Sequence, residues 1–86
     1  MIIYSTKDCP NCINAKMLLD KAGQEYENKD LGKTKNLAEF LKIRDENPLY
    51  DEIKAKHKVG VPTFVLDDGT ITIDFEKVKD FYNLEL

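Results

Sequence analysis

The two cysteines of Cys9-Pro10-Asn11-Cys12 follow closely on the apolar opening Ile2-Ile3-Tyr4, and no other feature constrains this chain as much. A short continuous apolar run suits a buried strand of a parallel pair. Pro10 suits the first position of a helix, where its missing N–H would have had no partner. The motif therefore falls at the junction of a first strand and the helix after it. The start of a helix exposes backbone N–H groups without acceptors, which favour an anion there. A thiolate is such an anion and is the reactive form of cysteine. The layout reads as a thiol–disulfide redox centre.

A bridge between these cysteines would close a loop of only four residues. Loop-entropy reasoning assigns that closure roughly 2 kcal/mol, against about 3 kcal/mol for fifteen residues. A structural staple is poorly placed there, whereas a bond meant to open and close is well placed. A secreted chain of this size would usually carry several disulfides to compensate for a thin core, and this one has two cysteines in all. The N-terminus also lacks a basic region followed by a long apolar segment, and no stretch approaches the ~20 apolar residues of a membrane helix. A cytoplasmic location is the default expectation.

Eighty-six residues allow one modest core, so a single domain over residues 1–86 is expected. The net charge of -3, from 16 acidic and 13 basic residues, leaves no electrostatic footprint for nucleic acid. The basic cluster Lys54, Lys56, His57 and Lys58 reads as a solvated helix end. Metal is not expected, because a closed zinc site needs four ligands and the only good ligand beyond the cysteines is His57.

The remaining elements follow from period and punctuation. Ile13, Met17 and Leu18 are expected on one face of the first helix, with Ala15 and Leu19 on a neighbouring one, and Gly23 is a natural stop. The stretch from Gln24 to Lys29 is a candidate exposed strand. Leu37, Phe40, Leu41 and Arg44 signal a second helix. Asn47 and Pro48 are expected to cap and open a third that runs to about His57. Thr63-Phe64-Val65-Leu66 and Thr70-Ile71-Thr72-Ile73 read as strands joined by a tight turn at Asp68-Gly69. Their alternation puts Ile71 and Ile73 on the core face and both threonines outside. Asp74 is expected to cap a last helix with Phe75, Val78, Phe81 and Tyr82 on one side.

With this element order, the chain resembles a glutaredoxin of the thioredoxin superfamily. Tyr4-Ser5-Thr6-Lys7 before Cys9-Pro10-Asn11-Cys12 is similar to the family's active-site strand and helix start. Val61-Pro62 before a strand is similar to the family's Val-Pro, whose proline is cis and faces the two thiols. The resemblance covers essentially the whole chain and implies an α/β thioredoxin-like fold, a four-stranded mixed sheet flanked by helices. It also implies a dithiol thiol–disulfide oxidoreductase that reduces protein or glutathione mixed disulfides.

On that reading Cys9 is the nucleophile, helped by the helix start and the Lys7 charge, while the neighbouring Asp8 carboxylate opposes its thiolate. Cys12, one turn in and more buried, attacks second and releases the reduced substrate. Pro62 completes the catalytic set. Lys7, Asn11, Val61 and Asp74 are the candidate glutathione contacts, with Val61 offering strand-like backbone pairing to the cysteinyl part. The sequence departs from the family at two places here: no Gly-Gly pair stands in Thr70–Glu76, and Asn11 occupies a position that is often aromatic. Glutathione is the expected electron donor and no cofactor is expected to stay bound. The chain is expected to act as a monomer on disulfide-containing proteins. Two rivals are a redoxin reduced by a thioredoxin-reductase-type flavoprotein and a non-catalytic redox-sensing regulator. Regulators of that kind are longer, with an inserted helical region that 86 residues leave no room for.

Overall fold

The structure is a computed structural model that describes residues 1–56 and 59–85. In chain order its elements are β1 (Ile2–Ser5), α1 (Pro10–Ala22), β2 (Glu27–Asp30) and α2 (Thr34–Glu46). A 3₁₀ turn (Pro48–Tyr50) then runs into α3 (Asp51–Ala55), followed by β3 (Thr63–Val65), β4 (Ile71–Thr72) and α4 (Phe75–Tyr82). The strands form one mixed sheet of order β2-β1-β3-β4. β2 runs parallel to β1, from Ile2 opposite Glu27 to Ser5 opposite Asp30. β3 pairs antiparallel with the other side of β1, setting Tyr4 opposite Thr63 and Ile2 opposite Val65. This is the α/β thioredoxin-like arrangement expected from the sequence.

Strand alternation sends neighbouring residues to opposite faces of the sheet. On one face Ile3, Phe64 and Leu66 pack with Ala15 and Leu19 of α1 and Val78 of α4. On the other Tyr4 and Leu31 pack with Phe40 of α2 and Tyr50, and Val65, Ile71 and Ile73 adjoin them. Each large side chain buried in this way contributes roughly 1.5–3 kcal/mol.

Local signals set the element ends as expected. Gly23 takes the left-handed conformation at φ 74°, its N–H reaching Asp20 O while Gln24 N reaches Leu19 O, a paired closure that ends α1. Asn47 Oδ1 accepts from Leu49 N at 3.0 Å ahead of Pro48. The expected helix end at His57, and His57 and Lys58 of the basic cluster, lie outside the described residues. At the hairpin Gly69 N donates to Leu66 O at 2.9 Å, with Gly69 at φ 87° where a side chain would be strained.

Several expectations about faces need correction. In α1 the buried positions are Cys12, Ala15 and Leu19, spaced three and four apart, and they turn Ile13 (52% exposed) and Met17 (58%) outward. α2 buries Phe40 alone, while Leu37 and Leu41 stay exposed. Tyr26 precedes β2 instead of lying in it. Thr72 was expected outside but is buried, and its Oγ1 accepts from Asp74 N at 3.0 Å. The reason is that helices cover both faces of the sheet, so β4 has no solvent face on which to place a polar side chain. Phe81 is exposed on the outer flank of α4.

Candidate active site

Cys9 is the N-cap of α1, with extended backbone (φ -97°, ψ 109°), and Pro10 takes the first helical position. An extended N-cap turns its side chain back over the first turn, where N–H groups have no helical acceptor. Here Cys12 N donates to Cys9 Sγ at 3.1 Å. Sulfur thus stands where an oxygen acceptor usually caps a helix. No acidic side chain occupies the first turn of α1 itself, and the carboxylate nearest in sequence to the positive helix end is that of Asp8, just before the cap.

The two sulfurs sit in different surroundings. Cys9 is half-buried and Cys12 is fully buried, both as free thiols. Burial first, and then the hydrogen bond with Cys9, push the Cys12 thiol up to about 11, with Lys16 and the Thr6 backbone pulling the other way. At neutral pH Cys12 therefore holds its proton.

The second part of the site comes from the loop entering β3. The Val61–Pro62 bond is cis, in agreement with the sequence reading. Val61 O stands 4.0 Å from Cys9 Sγ. Pro62 is buried beside it. A groove of about 490 Å³ opens alongside, lined by Asn11, Leu18, Val61, Pro62, Ile73 and Phe75 among others. A second groove, of about 650 Å³, is lined by Thr6, Lys7, Asp8, Lys33 and Leu37, and Val59 borders both.

The structure thus brings Cys9, Cys12, Val61 and Pro62 together, with Asn11 on the rim of one groove and Lys7 in the other. Asp74 does not line either groove. It caps α4, its Oδ1 accepting from Glu76 N at 3.0 Å, between Ile73 and Phe75, which do line the first groove. Sequence reasoning missed two residues that reach this loop. Thr63 Oγ1 donates to Gly60 O at 2.7 Å and lies 2.8 Å from the Tyr50 hydroxyl. The available signal was a hydroxyl at the head of an otherwise apolar strand, directly after the proline. Among the described residues, no group of three or more His, Cys, Asp or Glu side chains is placed to hold a metal ion. No described helix is long and apolar enough to cross a membrane.

Fold and site together define a thioredoxin-like α/β protein with a cysteine pair at the start of its first helix and a cis-proline loop against it. The glutaredoxin family profile matches residues 1–71, and the chain belongs to that family. Membership supports a thiol–disulfide oxidoreductase-like role. The chain is 28% identical to an uncharacterized protein of Haemophilus influenzae over 79 residues, a match that covers 91% of this chain and 92% of that protein. No solved structure matches the chain.

Proposed function

We propose that the protein is a dithiol oxidoreductase that reduces protein or glutathione mixed disulfides, with Cys9 as nucleophile and Cys12 as resolving thiol. The observation that carries the reading is the half-buried Cys9 sulfur at the helix N-cap, accepting Cys12 N–H at 3.1 Å, with the buried Cys12 thiol one turn behind it. The first step is attack by the Cys9 thiolate on a substrate disulfide. A Cys9–substrate disulfide forms, and the other substrate sulfur leaves as a thiolate that takes up a proton. Cys12 then loses its proton and attacks Cys9 Sγ, which makes the Cys9–Cys12 disulfide and releases the second substrate thiolate. Two electrons pass from the cysteine pair to the substrate. The high pKa of Cys12 keeps it protonated while Cys9 acts first, so the order of attack is set by environment.

Glutathione is the proposed donor, returning the two electrons as two thiols are oxidised to one disulfide. Lys7 is the proposed partner of a carboxylate of the tripeptide, Asn11 and the Val61 backbone of its middle, and Asp74 of its ammonium. Asp74 keeps Oδ2 available for that role while Oδ1 caps α4. The cytoplasm, where thiols are kept reduced, suits a centre of this kind.

The test is to oxidise the protein and compare its reduction by glutathione with its reduction by thioredoxin reductase and NADPH. Fast reduction by glutathione, together with a Cys12→Ser protein that still turns over glutathionylated substrates, is the expected result. Reduction by the flavoprotein alone, with an inactive Cys12→Ser protein, would assign the donor to the flavoprotein instead.

A further inference from the structure

Thr63 has one hydroxyl hydrogen, and it is used on Gly60 O at 2.7 Å. The contact between Thr63 Oγ1 and the Tyr50 hydroxyl at 2.8 Å therefore has Tyr50 as donor. The result is a one-way chain, Tyr50 O–H to Thr63 O–H to Gly60 C=O, in which each bond strengthens the next. Tyr50 and Thr63 are both 0% exposed, so water does not compete for these groups. The Thr63-to-Gly60 bond joins the last residue of the Gly60-Val61-Pro62-Thr63 turn to the first, and Tyr50 holds that clasp from outside the turn. Between those ends Val61 O faces Cys9 Sγ.

Tyr50 is itself well anchored. Its N–H reaches Asn47 O at 3.2 Å, and its ring meets Phe40 edge-on at 89°. The same ring forms the floor under Gly60: a Cβ built there would lie 3.1 Å from both Cδ1 and Cε1 of Tyr50. Gly60 also sits at φ 93°, a backbone conformation open to glycine. A phenylalanine would fill the same volume as Tyr50. The hydroxyl adds only the hydrogen bond into the turn, and a buried hydroxyl is costly without such a partner.

We infer that Tyr50 and Thr63 are positioning residues for the disulfide chemistry, holding the turn so that the Val61 backbone presents the incoming disulfide to Cys9. The inference rests on the proposal that Cys9 is the nucleophile. A merely structural role for the pair would change stability and leave the rate per folded molecule alone.

Four variants test it: Tyr50→Phe, Thr63→Val, the double substitution, and Thr63→Ser. Three quantities are measured well below each variant's melting temperature. They are the rate at which the reduced protein attacks a disulfide-bonded peptide, the rate of Cys9 alkylation by iodoacetamide, and amide exchange at Val61 and Thr63. Tyr50→Phe and Thr63→Val should each slow attack on the peptide by about tenfold and speed exchange in the turn by a similar factor. Alkylation, which needs no presented backbone, should stay within about twofold. The double variant should be no slower than the slower single one, because both remove the same chain. Thr63→Ser, which keeps the hydroxyl, should restore the parent rate to within about twofold. Parental peptide rates in Tyr50→Phe, or losses that multiply in the double variant, would overturn the inference. If the parent protein attacks no disulfide at all, the role given to Cys9 fails, while the exchange data still report whether the chain holds the turn.

Discussion

Against the face of the sheet that α1 and α4 cover, the core is Ile3, Ala15, Leu19, Phe64, Leu66 and Val78. Against the face that α2 and α3 cover, it is Tyr4, Leu31, Phe40 and Tyr50. The first group has no side-chain polar atom, and all it can do is exclude water. The second carries two hydroxyls, each given a partner: Tyr4 donates to Glu39 Oε1 at 3.1 Å, where Lys29 Nζ also arrives at 2.7 Å, and Tyr50 donates to Thr63. The two faces therefore serve the site by different means. The wholly apolar face fixes α1, whose backbone end holds Cys9. The aromatic face fixes a loop through directed hydrogen bonds, so substitutions there should alter rate as well as stability.

The largest expected effect breaks the chemistry and leaves both faces intact. Cys9→Ser should lower disulfide reduction by about a thousandfold or more, since a hydroxyl is a far weaker nucleophile. Its unfolding free energy should stay within about 1 kcal/mol of the parent. Turnover near the parental value would move the nucleophile elsewhere.

Next comes the wholly apolar face. Leu19→Ala should destabilise by roughly 2–5 kcal/mol, through lost transfer energy and the cavity left behind. Cys9 alkylation per folded molecule should not change. A matching fall in alkylation, measured where the variant is still folded, would erase the contrast between the faces.

A third effect is set by pH. The unfolded Cys12 thiol titrates near 9.0 and the folded one near 11, so its contribution is fully present below pH 9 and lost as pH rises through 11. Stability of the reduced protein should fall by roughly 2–3 kcal/mol more than that of Cys12→Ser across this window. The buried tyrosines titrate in both proteins and cancel. Parallel curves would mean that Cys12 is not held protonated by its burial within the first turn of α1.

The smallest effect concerns Asp74. Removing the cap in Asp74→Ala should cost about 1 kcal/mol of stability. Reduction of a glutathione mixed disulfide should slow by a larger factor than reduction of a peptide disulfide. Equal factors would leave Asp74 a cap and nothing more.

Much of this was legible in the sequence because it is local. Pro10 at a helix start, Gly23 at its end, Asn47 before Pro48 and Asp74 before Phe75 each act within a turn of chain, and each is found where the sequence places it. Cys9 and Cys12 were legible for the same reason, being one helical turn apart. What is set by distant packing was not. Ile13 and Met17 are as apolar as Leu19, and only the docking of α1 on the sheet decides which of them is buried. Thr72 looked like a solvent residue until the second layer of helices closed over it. The chain from Tyr50 through Thr63 to Gly60 joins residues up to thirteen positions apart, and no local pattern announces it.

The central claim is that Cys9 takes the substrate sulfur first and Cys12 removes it. Trapping tests it most directly. Cys12→Ser protein, reduced and then mixed with excess disulfide-bonded peptide, should accumulate one peptide per molecule, and mass spectrometry should place it on Cys9. Cys9→Ser, treated identically, should stay largely unmodified over the same time. A stable adduct on Cys12 in Cys9→Ser, formed as fast as the adduct on Cys9, would contradict the account.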